Sequence, residues 1–191
     1  MKNIFKSLLI VLVTVSFMSC SSDDDSSNNS TNDTSAGLVG TWNLVGINYN
    51  GDITTEVAGQ LFSVDLDGVG ENLDFSLTFS DPDEFMGSGS FDIILTTTVS
   101  GGQTTTGPIS VDIPSTEGTW EQNGTMLTTD EDLLALGAVA PVDNEIAQPP
   151  LVIEELTDTT LILTQEVNQE RTIDGIIETT SIITEVTFTR Q

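Results

Sequence analysis

Residues 160–190 read TLILTQEVNQERTIDGIIETTSIITEVTFTR, and the pair Asp174-Gly175 within them decides the fold. Asp-Gly is a strong signal for a two-residue hairpin turn, because the central positions of that turn need positive φ. With the turn there, Ile173 faces Ile176. Continued back along both strands, the register sets Val167 opposite Ile182, Leu163 opposite Val186 and Leu161 opposite Phe188. It also sets Arg171 opposite Glu178, an attractive cross-strand pair. A slip of one residue would throw all these side chains to the other face. Turn, apolar face and charge pair thus agree on one long hairpin, Thr160–Ile173 with Ile176–Arg190.

The same reasoning extends towards the N-terminus. Asn123-Gly124 predicts a hairpin joining residues 119–122 to 125–129, with Trp120 opposite Leu127. At Gly101-Gly102 a two-residue loop would mix faces. A three-residue loop, Gly101 to Gln103, instead pairs Phe91 with Ile113, Ile93 with Val111 and Leu95 with Ile109, at the cost of Asp92 opposite Asp112. Leu73, Phe75, Leu77 and Phe79 alternate before the turn Asp81-Pro82-Asp83, and Leu151 to Leu156 reads as another strand. The first strand begins at Gly40-Thr41-Trp42. Its apolar parity changes from Trp42 and Leu44 to Val45, Ile47 and Tyr49 beside Gly46, which predicts a bulge. The chain is therefore all-β: an antiparallel up-and-down meander of roughly eight to ten strands, closed into a barrel that removes its edges.

Ahead of this domain lies an export leader. Lys2 and Lys6 precede an uncharged run, Leu8 to Met18, which suits a signal peptide and is too short to span a bilayer. Ser19 and Cys20 follow in F-M-S-C, which resembles a bacterial lipobox with bulkier residues than usual at Phe17 and Met18. Cys20 is the single cysteine of the chain. Lipidation explains it better than a free thiol in an exported protein would, and stable anchoring takes more than one acyl chain. The expected division is signal peptide 1–19, acylated Cys20 with a disordered acidic, Ser- and Asn-rich tether through residue 37, and a barrel domain over 38–191. The Asp23–Asp25 run resembles the signal that sends some Gram-negative lipoproteins to the outer face of the outer membrane. The periplasmic face is the alternative.

Composition narrows the chemistry. The chain carries 30 Asp and Glu against 4 Lys and Arg, with no histidine, and has a net charge of −26. Once the leader is removed, Arg171 and Arg190 are the only cationic side chains. Such a surface repels nucleic acid and anionic headgroups. Ser-His, Cys-His and Ser-Lys nucleophile systems cannot be assembled, nor can a zinc site of His or Cys. Paired carboxylates remain formally available, but with so many acids a close pair carries little weight. The expectation is a non-enzymatic protein without a cofactor, monomeric, and held on a membrane through Cys20.

Three motifs point to a family. Leu38–Leu44 reads LVGTWNL, Gly118–Trp120 gives a second G-T-W followed by NGTML, and residues 152–163 read VIEELTDTTLIL. In this order, behind a lipoprotein leader, they resemble the lipocalin-like domain of small bacterial lipoproteins. The resemblance implies that Gly40 and Trp42 close the barrel floor and that an arginine of the last strand, Arg190, lies across Trp42, a cation–π contact. It also implies a small, largely apolar ligand inside the barrel. A surface interaction or adhesion module with a solidly packed barrel is the alternative reading.

Two segments are candidate sites. Residues 130–150, DEDLLALGAVAPVDNEIAQPP, interrupt the strands, and Leu133, Leu134 and Leu136 could form a lid over the open end or simply pack on the rim. Asp65, Asp67 and Glu71 lie in DLDGVGE, which has a calcium-loop look but fails the EF-hand spacing. It reads either as a looser oxygen-ligand site or as an acidic turn.

Overall fold

A computed structural model describes residues 35–134, 149–173 and 175–191. They form a helical turn, α1 (Ser35–Leu38), and eight strands: β1 (Gly40–Val57), β2 (Gln60–Ser80), β3 (Glu84–Val99), β4 (Gln103–Asn123), β5 (Met126–Thr129), β6 (Leu151–Leu156), β7 (Thr160–Ile173) and β8 (Ile176–Arg190). Each strand pairs antiparallel with the next and β8 returns to β1, so the meander closes into a barrel.

The C-terminal hairpin has the register its sequence dictates, from Leu161↔Phe188 through Val167↔Ile182 and Arg171↔Glu178 to Ile173↔Ile176. Gly175 carries φ 81°, and Asp174 lies outside the described residues. The Gly46 region is a bulge: the ladder to β8 shifts between Leu44 and Gly46. Here Val45 is the residue turned outward, 49% exposed, so the inner face passes from Leu44 directly to Ile47 and Tyr49.

Two hairpins differ from expectation by two residues, which preserves the faces but changes the partners. Trp120 pairs with Thr129 and Gln122 with Leu127, so the turn is Gly124-Thr125 rather than Asn123-Gly124. Gly124 has φ 64° and Thr125 does not share the positive φ. This is the pattern of a turn with glycine at its first central position, whereas Asn-Gly at both centres needs two positive φ values. The β3–β4 loop is three residues long but consists of Ser100 to Gly102, giving Phe91↔Val111 and Ile93↔Ile109. Asp92 thereby escapes Asp112. It faces Ser110, whose Oγ donates to it at 2.5 Å, and it also accepts from Asn72 Nδ2 at 2.6 Å. These two hydrogen bonds hold its carboxyl below the usual range.

The barrel is uneven along its axis. At the end where β1 begins, the floor, all eight strands take part. The β5–β6 ladder consists of Met126↔Val152 and Leu127↔Leu151 alone. Towards the other end, the mouth, β1 to β4 with β7 and β8 run on into their hairpin tips. Among the described residues no strand flanks the free side of β4 over residues 103–119. Pro108 lies on that edge, where a missing N–H costs no ladder bond and discourages edge pairing.

Candidate functional site

The floor is an aromatic plug. Trp42, Phe79 and Phe188 are each no more than 1% exposed, and Leu77, Leu127 and Leu161 fill between them. Trp42 Nε1 donates to the Leu38 carbonyl at 2.8 Å. The Arg190 guanidinium lies 4.2 Å from the Trp42 ring centroid, donates from Nη1 to the Val39 carbonyl at 2.9 Å, and donates from Nη2 to the Gly37 carbonyl. Gly37, assigned to the tether on sequence, is thus tied to the barrel. Gly40 has φ 143°, and a Cβ there would stand 2.5 Å from Arg190 Nη1. The G-T-W spacing therefore lets the arginine close over the tryptophan.

The second G-T-W builds the opposite side of the floor. Trp120 packs edge-on against Phe79 at 5.7 Å and donates from Nε1 to the Glu84 carbonyl at 3.1 Å. The Asp130 carboxylate accepts from Thr119 N at 2.6 Å and Thr119 Oγ1 at 2.9 Å, and these bonds hold its carboxyl below the ordinary range. Two open depressions flank this corner. One of about 400 Å³ lies among Ser80, Glu84, Phe85 and Met86, the other of about 640 Å³ among Asp83, Trp120, Glu121 and Asp130. Both are rimmed by carboxylates.

Above the plug, the inward-facing side chains follow in transverse rows that the registers define. One row runs Gly68, Tyr49, Thr184, Gln165 across β2, β1, β8 and β7, and reaches Leu95 and Gly107 on β3 and β4. The next is Leu66, Gly51, Ile182, Val167, and above it come Val99, Val64, Ile53, Thr180, Gln169. Phe62, Thr55, Glu178 and Arg171 form the row nearest the mouth but one. Thus β1, β8 and β7 carry polar side chains inside the barrel, while β2 and β3 oppose them with Leu66, Val64, Leu95 and Ile93.

Four of those polar residues are buried: Gln165, Gln169, Thr180 and Thr184. Gln165 Nε2 donates to the Pro149 carbonyl at 2.9 Å. Tyr49 is 2% exposed, and among the described residues its hydroxyl has no hydrogen-bond partner. An unpaired buried hydroxyl costs about 1–3 kcal/mol. Burial also pushes the phenol pKa up to about 12, so it stays a neutral donor and acceptor throughout the physiological range. Gly68 lets Ile93 and the base of the Tyr49 side chain close in on β2: a Cβ there would lie 2.9 Å from Ile93 Cγ2 and 3.1 Å from Tyr49 Cβ. Across the same row, no atom of the described residues lies within 4 Å of a Cβ added at Gly107.

Burial falls away towards the mouth, where the lining mixes apolar side chains with Thr55 and the Arg171–Glu178 pair. Phe62 is 49% exposed, Val57 40%, Val99 37% and Ile173 46%, all at inward-facing positions. Between them, Arg171 Nε donates to Glu178 Oε1 at 2.6 Å in an ion pair that is itself partly buried.

The sequence-predicted residues distribute as follows. Gly40, Trp42 and Arg190 meet at the floor. Leu133 and Leu134 are buried in the main core at 2% and 1% exposure. Leu136 lies outside the described residues, as do Cys20 and the whole leader. Asp65 and Asp67 are strung along β2 on the outer face rather than in a turn, with Glu71 on the same strand. Asp67 accepts from Asn50 Nδ2 at 2.7 Å. Among the described residues, no three His, Cys, Asp or Glu side chains come close enough to hold a metal. The interior polar row was missed, although Gln165, Gln169, Thr180 and Thr184 share the parity of Leu161, Leu163 and Ile182 in the correctly read hairpin.

A family model described as a lipocalin-like domain matches residues 38–163, about two thirds of the chain. No curated protein sequence matches. Among solved structures, the crystal structure of Ail, the attachment invasion locus protein of Yersinia pestis, aligns over 81% of this chain and 100% of its own at 8% identity and a TM-score of 0.21. Its complex with the heparin analogue sucrose octasulfate aligns over the same shares at 9% identity and a TM-score of 0.21. Values this low do not bear on function.

Proposed function

This chain belongs to the lipocalin-like domain family, and from that premise we propose that it is a non-enzymatic, lipid-anchored binding protein that takes a small, largely apolar molecule through the mouth of its barrel. The observation that carries the reading is the inner lining at the mouth. Phe62, Val57, Val99 and Ile173 face inward yet stay exposed. In water each such side chain forgoes part of the roughly 25 cal/mol per Å² that burial would return, and an apolar guest supplies the missing surface.

The anchor fits the same picture. The leader and Cys20 favour a lipid anchor on the outer membrane, leaning to the cell surface. The described chain enters at Gly37 beside the floor, and β1 then runs from Trp42 to Val57, about 50 Å along the strand. Leu133 and Leu134 pack from the segment between β5 and β6 into the core.

Nile red, a neutral apolar dye that fluoresces in dry surroundings, tests the reading. It is expected to bind with about one-to-one stoichiometry and to lose affinity on Phe62→Asp with the thermal midpoint unchanged. Dye binding that ignores Phe62→Asp would refute a mouth-lined site.

A further inference from the structure

We propose that the crest of the mouth, formed by the tips of the β1–β2 and β7–β8 hairpins, docks on a zwitterionic lipid surface through aliphatic side chains of the outer wall. The inference goes beyond the binding reading, because the residues that carry it point away from the barrel interior.

Exposed large hydrophobic side chains gather at this end of the described residues: Val57, Leu61, Phe62, Val99, Ile173 and Ile177 are six of twelve. Such concentrations mark sites of protein or membrane interaction. Leu61, 70% exposed, and Ile177, 48% exposed, lie on the outer face, in the row Leu61, Glu56, Ile177, Thr172. No guest inside the barrel covers them. The β2–β3 ladder begins at Val64↔Val99, so the β1–β2 tip projects past its β3–β4 neighbour. Residues 57–64 there read VAGQLFSV, without one charged side chain in a chain of 30 Asp and Glu.

Two features choose the partner. Leu61 and Phe62 are consecutive on β2 and point to opposite faces, and across the second tip Ile173 faces inward and Ile177 outward. A protein laid against the barrel covers one face of a hairpin, whereas an apolar medium that admits the tip covers both. Glu56 stands between Leu61 and Ile177, at the level of the headgroups once those side chains enter the acyl boundary. A carboxylate there meets the ammonium group of a zwitterionic lipid, while a net charge of −26 repels an anionic one.

Flotation with phosphatidylcholine vesicles tests the docking, using the chain from residue 20 onwards with Cys20→Ser so that no acyl chain contributes. This protein is expected to float with the vesicles, and less so as phosphatidylglycerol replaces part of the phosphatidylcholine. Leu61→Asp combined with Ile177→Asp should lower the partition at least about tenfold, the worth of burying one large aliphatic side chain, with the thermal midpoint unchanged. Nile red bound without vesicles reports the interior separately and should not respond to the double substitution. A parent that stays unbound, a double variant that floats like the parent, or stronger binding to the anionic vesicles would overturn the docking and leave the binding reading standing. So would a dimer, seen by sedimentation and lost in the double variant, with no flotation: the crest would then belong to a second copy of this chain.

Discussion

Arg190 and Trp42 lock the two ends of the barrel chain together: the guanidinium of the last strand lies 4.2 Å from the indole centroid of the first. The contact joins residues that are neighbours only because β8 pairs with β1, where Trp42↔Arg190 is the terminal pair of the ladder. The arginine also ties down Gly37 and Val39 through their carbonyls. One side chain therefore fastens the barrel seam and the segment that enters it.

Arg190→Ala should accordingly cost about 2 kcal/mol, the sum expected of a partly desolvated cation–π contact and a charged hydrogen bond. Arg190→Lys should recover only part of it, since an ammonium cannot stack on the ring and reach both carbonyls. Chemical denaturation of the three proteins measures this. Equal stability of parent and alanine variant would show that the seam does not depend on the arginine.

Tyr49 is the only tyrosine in the chain, so tyrosinate absorbance reports it alone. Its midpoint in the folded protein should lie near 12 rather than at the ordinary 10.0. Below pH 10 the phenol is protonated in folded and unfolded chains alike. Above that only the unfolded chain ionises, so the folded state loses stability as the pH rises towards about 12. A midpoint at the ordinary value would place the hydroxyl in water.

Leu133→Asp should unfold or strongly destabilise the domain, by about 3 kcal/mol or more, because the residue is 2% exposed and a carboxylate there has no partner. A thermal midpoint close to the parent's would mean that this leucine belongs to a movable cover instead of the core.

The anchor has its own test. Cells fed an alkyne-bearing fatty acid should label the parent protein and not Cys20→Ser, and the variant should leave the membrane fraction. Labelling that persists in Cys20→Ser would remove the lipid anchor from the account.

Much of this architecture was legible because pairing in a meander is local. Asp174-Gly175, the parity of Leu161 to Val167 and the Arg171–Glu178 pair all constrain one register, and it is the register found. Where a single glycine signal stood alone, at Gly101-Gly102 and Asn123-Gly124, the faces were right and the register was two residues off. Parity distinguishes odd slips from even ones but not one even register from the next. The floor was readable only through the resemblance to lipocalin-like domains, which marked Gly40, Trp42 and Arg190. Tyr49 was not. Its significance depends on what surrounds the hydroxyl, and those neighbours arrive from β2, β3 and β8, far away in the chain.

Whether the barrel carries a molecule is answered most directly by native mass spectrometry of the protein purified from its own host. A mass exceeding that of the lipidated chain by one small neutral compound, released on unfolding, is the result expected of a binding barrel. A population with the bare mass of the lipidated chain would contradict it and leave a packed barrel displayed as an interaction module.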